Sequence, residues 1–428
     1  MRSAEVLVVG GGAAGMVAAI EAARAGKRVL VLEKKKSLGK KLLVTGNGRC
    51  NYTNRIQKNA CYRGEDPDAA FQAIEEISHS TTVEWFLEIG ILPAERQGYF
   101  YPASFQASSV LHALERELKL LKVEIHTEEI VQSVSERQHG NDEQGFLVES
   151  DRDSYLAKKL LICTGGKAAP VHGSSGDGFL FAKALGHSVV PPLPALTSLF
   201  LEGNFMKGWA GNRLQGSVRL LDAKGMCIAQ DRGEIQLVDY GISGIPVFQI
   251  SRFAAKALSE KKTVFLELDS MPEIPADDVF TELSRRKERA ERMKSEENYS
   301  AADLLEGMLP DKFSRTILKQ SAVSPKDSVR ALDEKKLHGI AERIKYLKVQ
   351  IKAVSGFEKA QVCAGGVPLN EIDIKTFGSK VKRNLFFAGE VLDVDGCCGG
   401  YNLQWAWTSG ILAGRAIGSR EESRDDTY

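Results

Sequence analysis

Apolar residues near the start of the chain come in short unbroken runs, not in alternation. Glu5-Val-Leu-Val-Val9 leads into Gly10-Gly-Gly-Ala-Ala-Gly15, and Arg28-Val-Leu-Val-Leu-Glu33 ends in a carboxylate. Such runs predict strands buried on both faces. Between them, Met16–Ala25 is Ala-rich and predicts a helix stopped by Gly26. Leu160-Leu-Ile-Cys-Thr-Gly-Gly166 and Leu385-Phe-Phe-Ala-Gly389 are further apolar strands that break at small residues, where backbone must approach something closely. Helices are expected at 68–90, 107–120 and Tyr401–Ala416. A hairpin-rich insertion is expected near 123–160, with its turn in Glu136–Glu143.

After Pro191-Pro-Leu-Pro194 the pattern changes. Gly216-Ser-Val-Arg-Leu-Leu221, Ile235-Gln-Leu-Val238 and Thr263-Val-Phe-Leu-Glu-Leu268 are short strands separated by turn residues, which predicts a small β-domain. Residues 276–346 are helical and charged. The run Ser284–Asn298 mixes both signs, as expected of a solvated helix face with i,i+4 pairs. The expected organisation is a first α/β part at 1–190, a β-rich insert at 191–275, a helical segment at 276–350 and a second part of the first domain at 351–428.

The first loop carries the most specific chemistry. Gly10-x-Gly12-x-x-Gly15 sits between a strand and a helix, and Glu33 closes the second strand. In such a unit the glycines permit a tight turn, close approach to a pyrophosphate and close packing of helix on strand. The helix N-terminus, with Ala13 and Ala14, offers free N–H donors. Glu33 would take the adenosine ribose and disfavours a 2′-phosphate, which argues for FAD or NAD over NADP here.

The segment Gly39–Asn54 separates those two cofactors. It is rich in Gly, Thr, Asn and basic residues, including Lys40, Thr45, Gly46, Gly48, Arg49, Cys50 and Asn51. Its backbone amides and cations could wrap a second part of an extended cofactor. FAD would use such a loop; NAD would not need it. Lys34, Lys35 and Lys36 read as a solvated charge run, although Lys34, beside Glu33, is also a candidate cofactor contact. Strands ending in Thr164, Gly165 and Gly166, and in Gly389 and Glu390, stand where α/β folds place ligands. Gly399-Gly400 opens the last helix, where Asn402 and Leu403 would face a flavin.

These motifs resemble those of the BaiN/YhiN-like NAD(P)/FAD-dependent oxidoreductases, also described as aminoacetone-oxidase-like flavoproteins. The resemblance rests on residues 39–54, Phe100–Ala107, Ile162–Gly166, Gly173–Gly178 with Gly186-His187, Tyr240–Gly244, Ala364–Val367, Phe387–Glu390 and Asp393–Ala406, in the family's order. It implies an α/β fold: a Rossmann-like FAD-binding domain interrupted by a small β-rich domain and a helical segment. It further implies that Asp395 contacts the ribityl or phosphate region and that the Val131 backbone meets adenine.

The resemblance implies hydride transfer through the flavin, with NAD(P)H-driven reduction of a conjugated double bond favoured. There is no second G-x-G-x-x-G, so NADH or NADPH would visit transiently. Tyr401, Tyr240 and Arg49 are candidates around the substrate, a tyrosine being a possible proton donor; His172 and His187 are weaker candidates. The alternatives are an oxygen-using oxidase of a small amine or amino-ketone, an RNA-modifying flavoprotein, and a non-catalytic flavin sensor.

Composition narrows the partners. Net charge is +1 from 57 basic and 56 acidic residues, which disfavours nucleic acid as a bulk partner. No apolar run reaches membrane-helix length, no signal peptide is expected, and no obligate protein partner is evident. The seven cysteines contain no C-x-x-C, which disfavours a metal site or a secreted disulfide framework and points to the cytoplasm. Cys397-Cys398 and Cys50 read as small packing residues, and Trp405 and Trp407 as core. A small-molecule substrate remains the expected partner.

Overall fold

The structure, a computed structural model, describes residues 1–139, 143–292 and 299–419. The middle of the expected Glu136–Glu143 turn and the end of the Ser284–Asn298 run lie outside the described residues. The chain forms two compact units: Met1–Leu193 with Gln361–Tyr428, and Pro194–Ala360.

The first unit is built on a seven-stranded sheet. Strand β1 (Arg2–Val9) lies parallel between β2 (Val29–Glu33) and the strand Ser154–Ile162. Leu385–Phe387 adds parallel to Ser154–Ile162, and Glu124–Thr127 adds parallel to β2. The strands Val131–His139 and Glu143–Ser150 form an antiparallel hairpin that extends the sheet from Ser154–Ile162. Val6–Val9 and Val29–Leu32 are buried throughout, which is why their sequence shows no alternation.

Helix α1 (Ala13–Arg24) begins three residues earlier than the Met16 expected from composition. The expected helix at 68–90 is two helices, Pro67–Glu76 and His79–Glu88. Ser78 divides them, because its side chain accepts the Thr81 amide and caps the second helix. Helix Ala107–Leu120 matches its expected range, and the last helix runs Tyr401–Gly418. That last helix packs directly on α1. A Cβ at Gly410 would come 2.6 Å from the Ala14 carbonyl, and one at Gly414 would come 2.5 Å from that of Ala18.

The second unit holds a closed six-stranded antiparallel barrel. Its order is Leu199–Leu201, Gly241–Ser243, Cys227–Val238, Arg213–Asp222, Val264–Asp269 and Leu347–Val354. Leu347–Val354 crosses the expected boundary at 350/351 and belongs to the barrel, which it closes against Leu199–Leu201. Val264, Leu266 and Leu268 alternate inward. Helices Ala276–Arg292, Asp311–Gln320 and Glu334–Lys345 share one hydrophobic core with it. On Ala276–Arg292, Glu282 pairs with both Arg285 and Arg286, the expected charged face.

Candidate active site

The parallel strands Arg2–Val9, Ser154–Ile162 and Leu385–Phe387 end together, and the loops at their carboxyl ends form the site. The Gly10 amide donates to the Leu32 carbonyl, and the Cys163 amide to that of Val9. A Cβ on Gly10 would lie 2.5 Å from the Cys163 carbonyl oxygen, so this crossing requires glycine. A Cβ on Gly15 would collide with the Gly10 carbonyl. At Gly12 the situation reverses: a Cβ there would meet no atom within 4 Å. Gly12 caps α1 without any side-chain partner, and the first turn has no acidic residue. Met16 donates the first intrahelical bond, to Gly12, so the amides of Gly12, Ala13, Ala14 and Gly15 are the helix's unclaimed donors.

Glu33 braces this loop as well as ending β2. One carboxylate oxygen accepts the Gly11 amide and the other the Lys35 amide, both at 2.8 Å. A carboxylate has about four acceptor positions, so ribose hydroxyls can still be accommodated. Lys34 departs from the solvated-run reading. Its ammonium lies 2.5 Å from Asp177 and is also hydrogen-bonded to Ser175. The Glu129 amide donates to the Glu33 carbonyl, which brings the chain leading to Val131 alongside the end of β2.

The second motif docks on the first through Gly39, whose amide donates to the Gly11 carbonyl at 2.9 Å. Lys40 is exposed. Its neighbour Lys41, which the sequence did not single out, makes an ion pair with Glu390 at 2.8 Å. Thr45 hydrogen-bonds the Leu42 carbonyl, and the turn through Gly46, Asn47 and Gly48 is left-handed. Arg49 is exposed, braces the Gly46 carbonyl and lies over the Tyr101 ring. Cys50 is fully buried, and burial pushes its thiol up to about 12, as expected of an inert packing residue.

Asn51 is the most telling side chain of this motif. It is buried, and its Oδ1 has no hydrogen-bond partner. A Cβ at Gly400 would come within 3.0 Å of that oxygen. Gly400, at φ +95°, caps the last helix with no side-chain partner. The second motif and the opening of the last helix therefore converge on one point, each with unclaimed polar groups.

The third cluster lies between them. A Cβ on Gly166 would strike Cys363 and Glu390, and one on Gly165 would come 2.9 Å from Ser174. Thr164 sits against Gly178. Glu390 accepts the Cys363 amide at 2.6 Å with the oxygen that does not face Lys41. The Gly389 amide donates to Ser409, and Trp405 donates to the Gly389 carbonyl. Trp407 donates to the Tyr52 carbonyl. Both tryptophans are buried, as expected, and also fix loops of the site. Asp395 is fully buried in the strand pair Asp395–Gly396/Tyr62–Arg63. Asn402 spends its side chain on the Gly396 amide and the carbonyls of Gly396 and Cys397, which holds that loop in place. Leu403 is half-buried one residue on.

The catalytic candidates separate. Tyr401 is buried at the start of the last helix, its ring edge-on to Tyr62 and its hydroxyl beside the Cys61 thiol. Burial raises its pKa, so the phenol keeps its proton. Tyr240 belongs to the barrel unit, where it stacks on Phe200 and contacts Ser198. His172 ends a short turn whose next residue, Gly173, lies against Lys34 and Lys35. His187 is buried, with both ring nitrogens engaged at 2.7 Å, by Glu371 and by Ser379, so it is a structural histidine.

Residues 4–416 match the HI0933-like protein Rossmann domain. The chain belongs to that family. Among curated proteins it is 39% identical, over 96% of its own length and 98% of the relative's, to the 3-dehydro-bile acid delta(4,6)-reductase of Clostridium scindens. With the ribosomal RNA dihydrouridine synthase of Haemophilus influenzae it shares 27% identity, over 96% of this chain and 98% of that one. The solved structure of a 3-ketosteroid-delta4-(5alpha)-dehydrogenase from Rhodococcus jostii RHA1 aligns over 98% of this chain and 97% of that one, at a TM-score of 0.48 and 16% identity. That likeness is too distant to carry chemistry. Among the described residues no helix is long and apolar enough to cross a membrane.

Proposed function

We propose that this HI0933-like protein is an FAD-dependent reductase of a carbon–carbon double bond conjugated to a carbonyl, in a small polycyclic substrate of the steroid class, with NADH or NADPH as a transient donor. The observation that carries this reading is the 39% identity, spread over 96% of the chain, to a reductase of 3-dehydro-bile acids. The site residues fit the cofactor. The open space at Gly12 and the unclaimed amides of α1 suit a pyrophosphate. The unpartnered Asn51 Oδ1 and the uncapped helix at Gly400 suit a polar ring system.

Bound FAD would supply the hydride that adds to the electron-poor carbon. The chain's own residues would do the rest. Gly12–Gly15 and Glu33 hold the adenosine and phosphate end. Asn51 and the N-terminus of the last helix orient the other end and favour negative charge there. Tyr401, kept protonated by burial, is the candidate proton donor to the neighbouring carbon.

The same chemistry links the second relative, since dihydrouridine is uridine with its ring double bond saturated. An observation that favours RNA as substrate is the exposed Arg49 over Tyr101, near Phe105 with Arg96 over its ring. The two readings part in one experiment. The anaerobic flavoprotein is titrated with NADH and NADPH while the visible flavin band is followed, then offered a 3-oxo-4,6-diene steroid or ribosomal RNA. Bleaching, with recolouring by the steroid alone, supports the proposal. Recolouring by RNA alone replaces it. No bleaching by either nucleotide sinks the reductase reading and leaves the oxidase or the sensor.

A further inference from the structure

Seven cysteines are reduced in the structure, and two of them, Cys61 and Cys397, are joined through their backbones. In the antiparallel pair Tyr62–Arg63/Asp395–Gly396, Gly396 lies opposite Tyr62 and Asp395 opposite Arg63. One residue further the ladder ends, because Cys61 closes the turn Asn59–Cys61, but the Cys397 amide still donates to the Cys61 carbonyl at 2.9 Å. Residues joined by an amide–carbonyl bond across antiparallel chains have Cα atoms about 5.5 Å apart, inside the span of about 4.4–6.8 Å that a disulfide accepts. The Cys397 thiol donates to the Ala60 carbonyl at 3.9 Å, one residue from Cys61, and the Cys397 thiol and the Tyr401 hydroxyl are the groups that act most on Cys61. Both cysteines are half-buried, whereas Cys50, Cys163 and Cys363 are fully enclosed.

The electrostatics separate the same two groups. The Cys397 thiol pulls the Cys61 thiol down to about 6 against the opposing effect of burial, with help from the Tyr401 hydroxyl and from Lys58. Cys61 in turn raises Cys397, and burial adds to the rise. The pair thus gives up its first proton at Cys61 and keeps the second on Cys397. Burial pushes Cys50 and Cys363 up to about 12. An accessible thiolate with a second thiol poised beside it is the arrangement that peroxide chemistry selects. The sequence read Cys397 and Cys398 as small packing residues; the fold brings Cys397 to Cys61, 336 positions away in the chain.

We propose that Cys61 and Cys397 form an oxidation site for small hydroperoxides, with Cys61 as the attacking sulfur and Cys397 as the resolving one. The Cys61 thiolate attacks the distal oxygen of ROOH. An S–O bond forms, the O–O bond breaks, and ROH leaves after taking a proton from solvent. The Cys397 sulfur then attacks the Cys61 sulfenic acid. The S–S bond forms, the S–O bond breaks, and water leaves with the Cys397 proton. In sum, two thiols and ROOH give a disulfide, ROH and water, and two electrons pass from sulfur to the peroxide. The closed disulfide removes the thiolate beside the Tyr401 hydroxyl.

The full-length protein at pH 7 is treated with one equivalent of hydrogen peroxide, alkylated under denaturing conditions and mapped as unreduced peptides. The expected result is one cross-linked peptide pair, Cys61 with Cys397, formed about tenfold faster than oxidation of the similarly accessible Cys227. Cys398→Ala should leave the cross-link unchanged. Cys397→Ala should leave a dimedone-reactive sulfenic acid at Cys61 and move the pH midpoint of Cys61 alkylation upward from about 6. Oxidation of Cys61 no faster than Cys227, or a Cys397–Cys398 link in its place, overturns the proposal. The wild-type peptide map decides this even where a variant folds poorly, and it does not depend on turnover.

Discussion

Lys41 and Glu390 meet at 2.8 Å although 349 positions separate them, and their pairing ties the second glycine-rich motif to the strand end at Leu385–Gly389. The other oxygen of Glu390 holds the Cys363 amide. Both charges are about three-quarters or more enclosed. Lys41→Met should leave an under-compensated carboxylate and cost about 1–3 kcal/mol in urea unfolding. Lys41→Met/Glu390→Gln should recover most of that loss. An unchanged single variant would show that the pair contributes nothing to the fold.

Gly12 and Gly15 should respond in opposite ways. A methyl at 12 meets open space, so Gly12→Ala should melt like the wild type without cofactor while binding FAD at least tenfold more weakly. A methyl at 15 collides with the Gly10 carbonyl. Gly15→Ala should therefore lose about 1–3 kcal/mol even without cofactor. Calorimetry of the stripped protein and flavin fluorescence titration separate the two effects.

Gln404 joins four elements inside the first unit. It accepts the Thr53 hydroxyl, its two amide hydrogens are shared among the Ile77 carbonyl, Thr82 and Thr408, and it is fully buried. Gln404→Leu should leave several of these groups unpaired and destabilise by about 2–4 kcal/mol, read as a lower urea midpoint at unchanged slope. Thr408→Val alone should cost less, because the remaining three bonds persist.

Acid should loosen the first unit in two stages. Burial holds His187 below its ordinary 6.5, outweighing the Glu371 carboxylate beside it. The unfolded chain then binds a proton that the native one refuses, so stability falls as pH drops below about 6.5. Glu371 lies below its ordinary 4.5: burial opposes its ionisation, but hydrogen bonds from Ser188 and His187 prevail. Its contribution is present above 4.5 and is lost as pH falls further. Urea unfolding at pH 7.5, 5.5 and 4 should show both losses. His187→Gln should flatten the first, and a slope that survives this substitution would assign it to another group.

The elements legible along the chain were those whose cause is local. The unbroken runs at Val6–Val9 and Val29–Leu32 announce strands buried on both faces, because nothing polar interrupts them. Gly10, Gly12 and Gly15 announce the loop because residues within a few positions must avoid each other's backbone. What stayed hidden depends on residues hundreds of positions apart. The sequence of Lys41 shows only one more lysine in a basic stretch, and the spacing Gly410, Gly414, Gly418 passes for an ordinary Ala- and Gly-rich helix until α1 lies against it.

Sequence alone determined the first buried strands with the helix between them, the first phosphate-type loop with its carboxylate, and the family, since each is carried by residue types at short spacing. Tertiary structure decided that Leu347–Val354 closes the barrel, that Asn51 lies beside Gly400, that Glu33 spends two lone pairs on its own loop, and that the Cys397 amide meets the Cys61 carbonyl. The physical reason is common to all four. Strand pairing and helix packing choose neighbours by register and burial across the whole chain, and a one-residue shift in register would give each of these side chains a different partner.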